Sequence, residues 1–334
     1  MTLKEIAAEL GVSPSTVSRV VNGYSKNFSV VPEVREKILE KVRVSGYRAN
    51  PVFSTIRSRR NRQIAFLFAG AEFATQGTVL STAIDAMARE LFRHKYDFNY
   101  SITPGKPGCG YQLPPWRAAG LIIPNVIEPG ELNEIERSGI PYVVFNGVAG
   151  ALGSAVMSDE TYNTRLLLDR LTALGHRRIL YVNFPPIPTA HYSLAERRNA
   201  FLEYRREKGL PELPEQRCFT PEELETTIRA IVTFRATAAV CYESGSARKL
   251  LYAAWRHGIR IPEQCSIAAF NDEEMLDYTI PPLTRIRIPA AEMGTETVRQ
   301  LMNRISEKVE PKGSSLRFRG TLVEGGSIAP PPRE

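Results

Sequence analysis

The sequence predicts a small all-α three-helix domain followed by a two-lobed α/β body with parallel sheets. Three observations predict it. Through residue 44, apolar residues recur at helical spacing between strong capping signals. From Gln63 onward, short apolar runs alternate with amphipathic helical stretches, the pattern of parallel strands covered on both faces. The chain has 334 residues, so about 270 of them carry this second pattern, enough for two similar lobes.

The helical domain is legible residue by residue. Thr2 stands as a helix cap with Glu5 three positions on, the spacing of a capping box. Leu3, Ile6, Ala7 and Leu10 form the apolar stripe of the first helix, and Gly11 supplies a left-handed C-cap. Ser13 caps a second helix that opens on Pro14, where a missing N–H costs nothing. That helix runs over 14–21 with Val17, Val20 and Val21 inward and Ser15, Thr16, Ser18 and Arg19 on its other side. A third helix is expected over 32–44, with Val34, Ile38, Leu39 and Val42 facing the first two. Two short helices joined by a tight glycine-containing turn, with a third in support, make a helix-turn-helix domain.

In the body the expected strands are IAFLFA (64–69), GLIIP (120–124), YVVFN (142–146), RILYV (178–182), AAVCY (238–242) and SIAAF (266–270). Helices are expected over 78–94, 129–138, 162–174, 195–208, 221–234, 246–257 and 290–308. Open α/β sheets bind ligands at the carboxyl ends of their strands, so a cleft between two lobes is the expected ligand site.

Charge separates the two parts. Residues 1–63 hold twelve Lys+Arg against five Asp+Glu, and the remainder is balanced, so the whole formal charge of +7 sits on the first fifth of the chain. A basic module on a neutral body suits nucleic acid or an anionic membrane surface, or is simply a solvated face. No apolar run reaches 18 residues, which excludes a membrane helix. The acids in MTLKEIAAEL stand where a signal peptide would be apolar, so a cytoplasmic location is expected. Cys109, Cys218, Cys241 and Cys265 form no CxxC pair and read as reduced, buried, small hydrophobes.

The stretch TLKEIAAELGVSPSTVSRVVN (2–22), with VREKI and SGYRANP (34–51), resembles the DNA-binding head of the lac repressor and galactose repressor (LacI/GalR) family. The resemblance continues through TALGHRRILYV (172–182), IPEQCSIAAFND (261–272), PPLTRIRIP (281–289) and LVEGGSIAPP (322–331), and so covers essentially the whole chain. It implies a hinge helix after the head and a body of the periplasmic-binding-protein type I fold, Rossmann-like with parallel sheets. The implied division is a head over 1–46, a hinge over 47–62 and an effector-binding, dimerising body over 63–334. Within the body, the N-lobe takes about 63–155 plus 287–313 and the C-lobe about 156–286 plus 314–331.

The resemblance also implies site residues. In a major groove, Arg19 can donate two parallel hydrogen bonds to guanine, while Pro14 and Ser15 hold the family's discriminating positions. Thr2, Ser13, Thr16 and Asn22 are placed for phosphates, which fix register without reading sequence. Ser13 serves equally as a plain helix cap, and Tyr47 equally as core packing or a backbone contact. Ile56 holds the position of the family's minor-groove wedge, usually leucine. Phe53, where the family prefers alanine, is a second departure in the arginine-rich stretch 50–62. In the body, Arg197 matches the family's cleft arginine, and its planar fork suits vicinal hydroxyls or a carboxylate. Asn146 and Asn271 stand where aspartates are common, so amides that donate as well as accept replace carboxylates. The bland readings are a surface ion-pairing arginine and two turn-forming asparagines. Phe184 and Tyr242 read as core residues or cleft walls. Residues 103–117 are rich in proline and glycine where the family has a helix between strands.

The implied partners are a pseudo-palindromic double-stranded operator, a second copy of the chain in a homodimer, and a carbohydrate effector, with no membrane and no cofactor. The sequence carries no phosphate loop, no HExxH, no GxSxG and no metal-spaced His/Cys cluster, so no enzyme activity is expected. A periplasmic sugar-binding protein would suit the body alone, but not a basic head.

Overall fold

The computed structural model describes residues 1–21, 30–47, 61–69, 78–103, 111–184, 191–306 and 313–333. The chain forms two compact units, residues 1–61 and 62–334.

In the head, α1 (Leu3–Glu9), α2 (Pro14–Val21) and α3 (Pro32–Ser45) follow their sequence signals. The Thr2 hydroxyl accepts from the Glu5 amide at 3.3 Å, and the Glu5 carboxylate accepts from the Thr2 amide at 2.8 Å, closing the capping box. Gly11 takes φ +63°, the left-handed turn that separates α1 from α2. The Thr16 amide donates to Ser13 Oγ at 3.1 Å, so Ser13 caps α2. Ile6, Ala7, Val17, Val20 and Ile38 form the buried centre, with Val34, Val42 and Tyr47 packed around it. Leu39 departs from expectation and is 40% exposed. Successive helical residues point about 100° apart, so seating Ile38 at the centre turns Leu39 outward.

The body holds two six-stranded sheets. The first contains β1 (Gln63–Ala69), β2 (Asp97–Thr103), β3 (Gly120–Pro124), β4 (Tyr142–Phe145), β5 (Ser154–Ser158) and β11 (Ser314–Phe318). The second contains β6 (Ile179–Asn183), β7 (Gln216–Arg217), β8 (Ala238–Cys241), β9 (Ser266–Phe270), β10 (Thr284–Arg287) and β12 (Thr321–Val323). Their orders, β11-β5-β4-β3-β1-β2 and β12-β10-β9-β8-β6-β7, correspond strand for strand. All pairings are parallel except β10 with β12.

The helices are α4 (Thr78–Arg93), α5 (Asn133–Ser138), α6 (Glu160–Ala173), α7 (Tyr192–Glu207), α8 (Pro221–Thr233), α9 (Ser244–Arg256) and α10 (Ala290–Ile305). Strands β3, β4, β5 and β9 are buried along their whole length, as apolar strands covered on both faces must be. Helices α4 and α10 touch at Gly294, where a Cβ would lie 2.5 Å from the Ala83 carbonyl oxygen. Only glycine permits that approach.

β5 stays in the first sheet through Ser158, and β10 keeps Arg287 in the second. One segment falls in the other lobe from the one expected. Residues 314–318, expected in the C-lobe, pair with β5 as an N-lobe edge strand, from Ser314 beside Ser154 to Phe318 beside Ser158. This strand is mostly exposed, so it carries little of the apolar signal that marks a lobe in sequence.

No helix occurs in 111–119, where the family has one. Tyr111, Leu113, Trp116 and Ala118 cover that face of the first sheet instead, and the Tyr111 hydroxyl donates to the Pro124 carbonyl at 2.5 Å. At the other end, His176 fastens the C-terminal tail. Its Nε2 lies 2.8 Å from the Ala329 carbonyl and its Nδ1 3.0 Å from Thr237 Oγ1, and burial holds its pKa below the usual range. Cys218, Cys241 and Cys265 are free and buried, with burial pushing the Cys218 thiol up to about 11. Cys109 lies outside the described residues.

Candidate DNA interface and ligand cleft

The outer face of α2 is polar and open. Ser13, Pro14, Ser15 and Arg19 are exposed there, while Val17 and Val20 anchor the helix from below. Ser15 and Arg19 are four residues apart and so share one face. At the start of the helix, Ser13 Oγ lies 2.7 Å from Ser15 Oγ and 2.8 Å from Thr16 Oγ1. Three hydroxyls therefore cluster where a helix N-terminus carries partial positive charge, an arrangement suited to a phosphate. Thr2 is exposed on the cap of α1, and Tyr47 is half-buried against the head core. Asn22 and Ile56 lie outside the described residues.

In the body, Asn146 and Asn271 occupy equivalent places. Each follows a buried phenylalanine, Phe145 or Phe270, at the carboxyl end of corresponding strands β4 and β9. Both adopt left-handed backbone, at φ 53° and 69°, a region asparagine tolerates better than most residues. Asn146 meets the second lobe directly. Its carbonyl lies 2.6 Å from His191 Nε2, and its Oδ1 accepts from the Tyr192 hydroxyl at 2.9 Å. The same hydroxyl accepts from the Ser158 amide at 3.0 Å. His191 caps α7 by accepting from the Ser193 amide at Nδ1, so Nε2 carries the proton and donates to Asn146. Burial lowers the His191 pKa, which keeps this neutral form.

Arg197 is not at the surface. Its side chain is 4% exposed, and its guanidinium lies between the rings of Tyr242 and Phe270, 4.8 and 4.4 Å from their centroids. Nε donates to Glu160 Oε2 at 2.7 Å and Nη2 to Glu160 Oε1 at 3.0 Å. Nη1 donates to the Tyr242 carbonyl at 2.6 Å, and Nη2 also reaches Asn271 Oδ1 at 3.3 Å. Four of the five guanidinium N–H groups are thereby used, leaving one Nη1–H without a partner among the described residues. Burial pulls the Arg197 pKa down, but the Glu160 carboxylate outweighs it and holds the group charged.

Sequence reasoning missed Glu160. Its place at the first position of α6 reads as ordinary helix-dipole complementarity, and its partner lies 37 residues away. It also missed Phe219, whose ring packs edge-on to Phe184 at 4.9 Å and continues the line to Tyr242, 5.5 Å from Phe184. Glu243 caps α9 through the Gly245 and Ser246 amides. Ile288 is buried in the core. No group of three or more potential metal ligands occurs among the described residues, and no helix among them is long and apolar enough to cross a membrane.

Comparison with known proteins relates both parts of the chain to known families. Residues 2–50 match the model of bacterial regulatory proteins of the lacI family, and residues 168–328 match a periplasmic binding protein-like domain. The chain is 27% identical to the HTH-type transcriptional regulator MalR of Streptomyces coelicolor, over 99% of its own length and 98% of the relative's. It is 26% identical to CelR of Thermobifida fusca, covering 97% of the chain and 98% of CelR. A lac repressor dimer bound to operator and the anti-inducer ONPF superposes with a TM-score of 0.80 at 20% identity, covering 98% of this chain and 99% of the repressor. A CelR–cellobiose complex superposes with a TM-score of 0.66 at 22% identity, over 98% and 99% of the two chains. The fold is thus that of the lac repressor, a helix-turn-helix head followed by a two-lobed body. Over nearly its whole length the chain is thus similar to HTH-type transcriptional regulators.

Proposed function

We propose that the chain is a homodimeric repressor whose operator affinity is set by a sugar or sugar derivative bound between the lobes of the body. It acts in the cytoplasm, on chromosomal DNA. The observation that carries the DNA half is the exposed Pro14–Ser15–Arg19 face of α2, above a hydroxyl cluster at its N-terminus and on a basic head. In a major groove, Arg19 takes guanine O6 and N7, Pro14 offers van der Waals contact and Ser15 a single adaptable hydrogen bond. Thr2, Ser13, Thr16 and Asn22 hold phosphates, Tyr47 steadies the head against the backbone, and Ile56 serves as the central wedge.

One head makes few base contacts, and each mismatch costs only about 1–3 kcal/mol, so two heads reading a pseudo-palindrome are needed. The ligand half rests on Asn146 and Asn271 at matching strand ends, with Arg197 against Asn271 and its remaining Nη1–H as donor. A ligand touching both lobes favours one arrangement of the lobes and so shifts operator affinity, by a coupling typically of about 1–3 kcal/mol that runs in both directions.

Arg19→Ala tests the base-reading role. Specific binding is expected to fall about 5- to 150-fold for each head that loses a bidentate contact, at about 1–3 kcal/mol each. Binding to random duplex at the same salt is expected to fall far less. Fluorescence anisotropy against both duplexes checks this, and equal losses would remove Arg19 from the base-reading face.

A further inference from the structure

We propose that Glu160 sets the charge selectivity of the cleft, so that it takes an uncharged sugar and turns away sugar phosphates and sugar acids. The inference rests on the carbohydrate reading above and names the ligand class more narrowly.

An arginine in a ligand cleft ordinarily invites an anion, because its planar fork matches a carboxylate or phosphate. Here that fork is already filled. Glu160 is 2% exposed and grips Nε and Nη2 of Arg197 together, in the geometry an incoming carboxylate would need. The pair cancels in charge at contact distance. An anion arriving at the remaining Nη1–H would find a carboxylate beside it and no net counter-charge.

The other described cleft groups supply none either. Asn146 and Asn271 are amides, and His191 is neutral because its Nδ1 accepts from the Ser193 amide while Nε2 donates to Asn146. Tyr192 and Tyr242 are phenols inside the same network, the latter 2.6 Å from Ser193 Oγ.

Among the described residues the nearby cations are engaged as well. Arg285 pairs with Asp272 and Asp277, and Arg287 also pairs with Asp272. Arg317 grips Glu196 in two hydrogen bonds of 2.7 Å. Lys249 sits 4.4 Å over the Phe219 ring, and around the Cys218 thiol its charge is set against those of Glu223 and Glu243. An anionic ligand would therefore lose its water without gaining a counter-ion. A neutral polyol loses less, and it finds amides that donate and accept beside an aromatic wall of Phe184 and Tyr242.

The test uses the full chain and paired probes: glucose with glucose 6-phosphate and glucuronate, ribose with ribose 5-phosphate, and cellobiose and maltose with their oxidised aldonic acids. Binding is measured by calorimetry at 50 and 300 mM salt. Each neutral sugar that binds is expected to do so at least tenfold more tightly than its anionic partner, with little salt dependence. Glu160→Gln keeps the side-chain shape but leaves Arg197 uncompensated, and should shift the anion-to-neutral ratio at least tenfold toward the anion.

An anionic partner that binds the wild-type chain as tightly as its neutral parent overturns the proposal. So does a folded Glu160→Gln protein with an unchanged ratio. If the variant does not fold, the wild-type ratio decides alone. If none of the neutral or charged sugars binds, the carbohydrate reading itself fails and this inference falls with it.

Discussion

Arg197→Ala should destabilise the body by about 3–5 kcal/mol, because it leaves the Glu160 carboxylate buried without its partner. The pair is 4% and 2% exposed, so solvent screening does not soften the loss. The guanidinium also fills the space between Tyr242 and Phe270, which adds a packing defect. Denaturant titration of the full chain would show this as an early transition of the body. The paired change Glu160→Gln with Arg197→Met removes both charges and keeps most of the volume. It should cost well under the sum of the two single changes, since contacting residues are not additive. Additive losses would mean that the two side chains act independently. A surface arginine would have permitted a simpler expectation, loss of ligand response with stability intact. Burial makes response and stability inseparable at this position.

Removing residues 1–61 should reduce sequence-specific DNA binding by about three to seven orders of magnitude, to the level of non-specific binding or lower. The deletion takes away α2 and nearly all of the excess positive charge. The body should remain folded, because its core clusters draw on no head residue. Gel mobility shift with operator and random duplex measures the first effect, and calorimetric ligand titration of the truncated chain the second. A truncated chain that still prefers one duplex would place the base-reading surface in the body.

The head was legible because its signals are local. Thr2 with Glu5, Gly11, Ser13 with Pro14, and the apolar stripes each act within a few residues, and each formed as read. Leu39 failed because a stripe two residues wide does not say which residue sits at its centre. In the body, the buried strands β3, β4, β8 and β9 announced themselves as apolar runs, while buried β5, bounded by serines, stayed unseen. Strands β2, β11 and β12 stayed unseen too, since edge strands mix polar and apolar residues. Unseen β11 is also why the third lobe crossing was misplaced.

The candidate cleft was half visible. Asn146 and Asn271 are signalled by their positions after apolar strands, and their left-handed backbone suits that residue type. The contacts that decide their chemistry are long-range. His191 reaches Asn146 across 45 residues, and Glu160 reaches Arg197 across 37. Nothing in local sequence marks a histidine as an interlobe clasp or a helix-start glutamate as a buried counter-ion. Only the folded arrangement of the two lobes brings those groups together.

Selection of duplexes from a random pool by the full chain at moderate salt, repeated with each neutral sugar in turn, tests whether one chain joins a DNA-reading head to a ligand-sensing body. Enrichment of a pseudo-palindromic site is expected, with a change in retention of that site by at least one sugar. A pool that stays random under every condition would contradict it.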